Sequence, residues 1–173
     1  NGMAIDEMGP ASSPMEEAVM RSIAQYMGLG DDASGILCHG GTLANLTALL
    51  AARQCQSHRD EWREGTTEKY AVLVSEQAHY CVDRAVRVMG WGEEGTIHVP
   101  VDASHRIRPE ALETAFSEAQ SKGLKVLSVV GSACTTSSGA FDDLNALADF
   151  ANSKGLWFHV DGAHGAAQIF SKQ

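Results

Sequence analysis

From residue 70 onward, short apolar runs alternate with longer amphipathic ones, and this alternation restricts the fold more than any other feature of the chain. The periodicities predict strands over 70–75, 96–99, 126–130 and 156–160, separated by helices over 78–89, 109–121 and 142–153. Helix 109–121 gathers Leu112, Ala115, Phe116 and Ala119 on one face, and helix 142–153 gathers Leu144, Leu147, Ala148 and Ala151. The run 156–160 is mostly large and apolar and reads as a strand buried on both faces. Repeats of this length require a parallel sheet with right-handed crossovers and helices on its faces. The expected class is therefore α/β, a three-layer α/β/α arrangement around a mainly parallel sheet.

Upstream, residues 1–14 show no periodicity and read as an irregular lead-in segment. A helix is predicted over 14–27, with Pro14 as its first residue and Glu16 and Glu17 in its first turn. A very short strand is expected over 35–38, followed by Gly40-Gly41-Thr42, a helix over 43–53 and a polar, mostly surface segment over 54–69. This divides the chain into a segment and helix, 1–34, leading into one domain, 35–173. Residues 162–173 offer no helix to cover the last strand, so the sheet reads as unfinished.

Thirteen Lys and Arg against 22 Asp and Glu give a net charge of −9, which argues against nucleic acid or an anionic membrane as partner. A small anion remains compatible, because backbone amides bind phosphate without any lysine. The cysteines, Cys38, Cys55, Cys81 and Cys134, form no CxxC pair and fit a reducing compartment. With no apolar stretch of membrane-span length and no signal peptide, a cytoplasmic protein is expected. His159 and His164 lack the spacing that sets two imidazoles on one helix face, so no metal site is expected.

Loops that leave strand ends or open helices on one edge of such a sheet are where ligands bind. Gly40-Gly41-Thr42 lets backbone approach an anion and adds a hydroxyl at a helix start; the alternative is a glycine turn with Thr42 as cap. His79 is expected in the first turn of a helix, either lying flat on an aromatic ligand or simply half exposed. Residues 132–139, rich in Ser and Thr, suit a ligand lying close over the backbone, or else cap the helix at Asp142. Asp161 ends the last strand, where a carboxylate is costly unless a cation or donor meets it; its alternative is a turn cap.

In order, the stretches GILCHGGTLANLTALLAAR (35–53), VSEQAHYCVDRA (74–85), VVGSACTTSSGAFDDL (129–144) and LWFHVDGAHGAA (156–167) resemble the pyridoxal-phosphate-dependent amino-acid decarboxylases of the aromatic-amino-acid, glutamate and diaminobutyrate type. The resemblance implies an aspartate-aminotransferase-like large domain (fold type I) over 35–173, pyridoxal 5′-phosphate as cofactor, a homodimeric intact enzyme and an amino-acid substrate. It implies roles residue by residue: Gly41 and Thr42 hold the phosphate, His79 stacks on the pyridine ring, and Thr136 lies beside the ring. Ala163 packs against the other face and Asp161 pairs with the ring nitrogen. A carboxylate there keeps the nitrogen protonated, which lets the ring accept electrons when a bond to Cα breaks.

Gly162, His164 and Cys134 depart from the family's usual residues. The lysine that this family joins to the cofactor belongs to a later segment, and neither Lys154 nor Lys172 matches its context. The expectation is a cofactor-binding portion that is inactive alone. Two readings stand beside it: a transaminase or a carbon–sulfur or carbon–carbon lyase of the same fold, and a non-catalytic α/β module binding a phosphorylated ligand.

Overall fold

The structure, a computed structural model, describes residues 8–171; the start of the lead-in segment and Lys172 lie outside the described residues. These residues fall into two compact units, one within 1–39 and 167–173 and the other within 40–166.

In the first unit, helix α1 (Ser12–Tyr26) begins two residues ahead of the expected start. Pro14 therefore takes the third helical position, where its missing N–H still costs nothing, and Glu16 and Glu17 leave the first turn. Residues 35–38 form no strand. Ile36 and Leu37 are each 62% exposed, and the Leu37 N–H donates to the Glu16 carboxylate rather than to a neighbouring strand. A short 3₁₀ helix, Ala166–Phe170, stands where no covering element was expected, but it buries none of its side chains and adds no layer.

The second unit carries helices α2 (Gly41–Gln56), α3 (Glu61–Glu64), α4 (Cys81–Val88), α5 (Pro109–Ser121) and α6 (Leu144–Lys154). Its strands are β1 (Tyr70–Ser75), β2 (Thr96–Val99), β3 (Lys125–Ser132) and β4 (Trp157–Asp161). The strand order is β2-β1-β3-β4 with every pair parallel. Alternation along the strands sends Ala71, Leu73 and Val129 to one face, against Leu112, Ala119, Leu147 and Ala151 of α5 and α6. Val72, Val74 and Val130 meet Leu49, Val82 and Val86 of α2 and α4 on the other. The three layers follow directly, and each fully buried Val or Leu contributes about 1.5–3 kcal/mol.

One expectation needs correction here. Strand β4 is half-buried along its length rather than buried on both faces, because among the described residues it is an edge of the four-stranded sheet and only β3 pairs with it. The 54–69 segment is mostly surface, as expected, with Glu61 as its buried exception at 3% exposed. It accepts hydrogen bonds from Tyr70 (2.5 Å), Thr66 (2.8 Å) and Ser57 (3.0 Å), with Arg53 at 3.7 Å. Burial alone would raise its pKa, but these donors and the Arg53 charge outweigh burial and hold it below the ordinary glutamate value.

Candidate active site

The register that aligns Ser132 with Asp161 brings the ends of β3 and β4 level. The β3–β4 turns are then tied together: Ala133 N–H donates to the Asp161 carbonyl at 2.9 Å, and Gly165 N–H donates to the Ala133 carbonyl at 3.0 Å. A Cβ at Gly165 would lie 2.6 Å from the Cys134 amide nitrogen, so only glycine allows this approach. At the far end of β4, α6 stops at Gly155 in the left-handed region (φ 65°), which turns the chain into the strand.

Helix α2 starts beside these turns. Its cap is Gly40 (φ 85°, ψ 161°), which makes no side-chain capping bond, so the expectation of Thr42 as the cap does not hold. The first intrahelical bond runs from Ala44 N–H to the Gly40 carbonyl at 3.1 Å. The amides of Gly41, Thr42 and Leu43 are thus left pointing outward, as at any helix start. A Cβ at Gly41 would come within 2.8 Å of Ala163 Cβ, which measures how closely the helix start and the Asp161 turn approach.

His79 precedes α4 instead of lying in its first turn, because the helix opens only at Cys81. Its Nδ1 accepts from the Cys81 N–H at 3.3 Å, which leaves the ring proton on Nε2 and fixes the ring plane. The Ser/Thr loop caps itself and not α6. Thr135, 2% exposed, bonds Ser138 Oγ at 2.7 Å and accepts from Ala140 N–H at 3.2 Å. Asp143 caps α6 through Ala146 N–H. Thr136 is left exposed at the loop's inner side.

These pieces surround one cavity of about 180 Å³, and Gly41, Thr42, His79, Thr136, Asp161 and Ala163 all line it. Its volume suits a single substituted ring better than a dinucleotide. Cys134 and His164, the departures noted in the sequence, line it as well. Ser132 and Thr135, from the loop 132–139 that was expected to meet a ligand, line it too, whereas sequence reasoning missed Asn45 and Cys81 on its wall. It also missed Asp142, 5% exposed, whose carboxylate accepts from Ile107 N–H (2.7 Å) and Ser132 N–H (2.8 Å) and so anchors the end of β3. No local signal marked it, since Ile107 is 35 residues away.

The Asp161 carboxylate accepts from Ala163 N–H at 3.2 Å, so it does cap its own turn. Among the described residues it has no ion-pair partner, which leaves its remaining acceptor capacity for whatever enters the cavity. A helix start with free amides, a carboxylate lacking a cation, a fixed histidine ring and a methyl-sized Ala163 together fit a phosphorylated, cationic ring. No lysine among the described residues lines the cavity. Lys154 pairs with Glu113 at 2.8 Å and Lys122 with Glu118 at 2.8 Å.

Fold and cavity define a class first, a three-layer α/β protein of fold type I. All of residues 1–173 match the pyridoxal-dependent decarboxylase conserved domain, and the chain belongs to that family. It is 36% identical over 165 residues to an aromatic-L-amino-acid decarboxylase of Bacillus atrophaeus, covering 95% of this chain and 33% of that protein. It is 32% identical to an L-2,4-diaminobutyrate decarboxylase of Acinetobacter baumannii, covering 95% of this chain and 35% of that one. Among solved structures, the glutamate decarboxylase domain of a diaminobutyrate-pyruvate transaminase and L-2,4-diaminobutyrate decarboxylase from Vibrio parahaemolyticus superposes with a TM-score of 0.91 at 29% identity. That match covers 98% of this chain and 39% of the other. The chain spans about a third of the length of the curated relatives it matches.

Proposed function

We propose that the protein containing this chain is a carboxy-lyase that uses pyridoxal 5′-phosphate to convert an L-amino acid to an amine and carbon dioxide. The carrying observation is the convergence of Gly41, Thr42, His79, Thr136, Asp161 and Ala163 on one cavity at the carboxyl ends of the strands. In this reading residues 1–34 lead into a cofactor-binding large domain that begins at residue 35.

When bound, pyridoxal phosphate supplies an electron sink for the pair released as the bond from Cα to the carboxylate breaks. The chain's own groups do the rest. The Gly41 and Thr42 amides, with the Thr42 hydroxyl, hold the phosphate at the positive end of α2. The Asp161 carboxylate holds a proton at the ring nitrogen. His79 and Ala163 would hold the ring between them, with the Thr136 hydroxyl available beside it. The lysine this chemistry requires comes from outside these residues, and residues 1–173 alone release no carbon dioxide. The proposal includes a homodimer, supported by the family resemblance, and a cytoplasmic location, supported by the scattered cysteines; the net charge of −9 supports a partner set without nucleic acid or anionic membrane.

The test is product analysis on the intact protein, loaded with pyridoxal phosphate and given a panel of L-amino acids. Carbon dioxide and the matching amine in equal amounts are expected. Formation of a 2-oxo acid without carbon dioxide would identify a transaminase and overturn the reading.

A further inference from the structure

The Asn45 side chain is 3% exposed and lies on the cavity wall, where it joins elements far apart in sequence. Its Oδ1 is 2.6 Å from His159 Nε2, across 114 residues. An amide oxygen only accepts, so His159 Nε2 carries the proton and donates. The other end of the amide, Nδ2, donates to the buried Cys81 Sγ at 3.2 Å. Each attachment lies one step from a group assigned to the cofactor. Asn45 is one helical turn past Gly41 and on the same side of α2. His159 is two residues before Asp161 and on the same side of β4. Cys81 opens α4, and its N–H fixes the His79 ring.

We propose that the Asn45–His159 hydrogen bond is a spacer that sets the separation between the phosphate-binding start of α2 and the Asp161 carboxylate. Asn45 and His159 are then positioning residues, and Asn45 also steadies the His79 end through Cys81. The inference rests on the pyridoxal phosphate reading of this cavity. A rigid ligand that touches both the helix start and Asp161 gains affinity only if the two are held at matching distance beforehand. A ligand touching the helix start alone gains nothing from the spacer. The charge state agrees with this role. Burial pushes the His159 pKa down, against the opposing pull of Asp161, so the imidazole stays neutral and does not compete for the carboxylate.

The discriminating variant is Asn45→Leu/His159→Phe in the intact protein, because removing both partners of a buried hydrogen bond with apolar residues is often near neutral for stability. The apo form is titrated with pyridoxal phosphate and, separately, with inorganic phosphate, and its urea midpoint is recorded. The expected result is a Kd for pyridoxal phosphate raised about tenfold, the equivalent of one lost orienting hydrogen bond. The Kd for inorganic phosphate stays at the parent value. His159→Gln, which keeps an N–H near the Nε2 position, restores most of the affinity, and His159→Phe alone serves as the comparison should the double variant not fold. Loss of affinity for both ligands by the same factor, or for neither, overturns the spacer. A parent protein that binds no pyridoxal phosphate overturns the functional reading itself, and the spacer with it.

Discussion

The approach of Gly41 to Ala163 makes a prediction that needs no ligand. Alanine at 41 would set its Cβ 2.8 Å from Ala163 Cβ, against the 3.4 Å at which ordinary contact begins, so the start of α2 and the Asp161 turn must move apart. The Gly41 backbone is not in the left-handed region, so the substitution carries no conformational penalty of its own. Two terms then oppose each other. Overpacking of this kind costs about 1–3 kcal/mol, while alanine in place of glycine gains up to about 1 kcal/mol of helix propensity. A single variant therefore reads ambiguously, and a cycle does not. In an Ala163→Gly background the collision partner is gone, and Gly41→Ala should be neutral or stabilising. The coupling between the two substitutions should equal the collision, about 1–3 kcal/mol. Urea denaturation of the apo form of the intact protein, measured for parent, both single variants and the double, gives this number. Additivity within about 0.5 kcal/mol would refute the argument, because residues that do not touch behave that way.

Three further outcomes are expected. Asp161→Asn leaves the fold intact but lowers kcat of the intact enzyme by about 10²–10³, the usual cost of one preorganised electrostatic partner; unchanged turnover removes Asp161 from the role. Glu61, held below the ordinary value of 4.5, keeps its full stabilising effect above that pH and loses it as pH falls through the depressed folded value. Glu61→Gln should therefore flatten the fall of the urea midpoint with acidification, and an unaltered pH profile counts against the buried network. Asp142→Asn turns an amide NH₂ toward the Ile107 or Ser132 N–H, and the unmet donor should cost about 1–3 kcal/mol by urea denaturation.

What the sequence disclosed was whatever depends on near neighbours. Strand β1 was legible as a continuous apolar run, and it is buried at every position. Helix α5 was legible from its periodicity, and Leu112, Ala115 and Ala119 are indeed its buried residues. The loops Gly40-Gly41-Thr42, 132–139 and Asp161-Gly162-Ala163 were legible because they follow strands or open helices, and a parallel sheet sends such ends to one edge. What stayed hidden depends on pairing between distant segments. Residues 35–38 have strand-like composition, but among the described residues Ile36 and Leu37 join no strand. The half-burial of β4 follows from its place in the strand order, which no local pattern encodes. Asn45 looked like one polar residue in a helix-forming run, since its partner His159 is 114 residues away.

The acids of this chain show why Asp161, and not a more deeply buried carboxylate, is the one we propose to carry a ligand. Glu61 is enclosed by Tyr70, Thr66, Ser57 and Arg53, so its charge is already answered. Asp142 is buried enough that desolvation pushes its pKa up, against the pull of the Ile107 and Ser132 amides, and both its oxygens are occupied by those donors. Neither has capacity left, and both stabilise the framework on which the loops are set. Asp161 is less buried and, among the described residues, accepts a single N–H, from Ala163, and has no ion-pair partner, so it faces the cavity with acceptor sites unfilled. A carboxylate in that condition gains more from an incoming cationic ring than either of the others could, because their desolvation is already offset by the protein. The carboxylate proposed to meet the ligand is thus set apart by what it lacks, and the same criterion excludes Glu61 and Asp142 despite their greater burial.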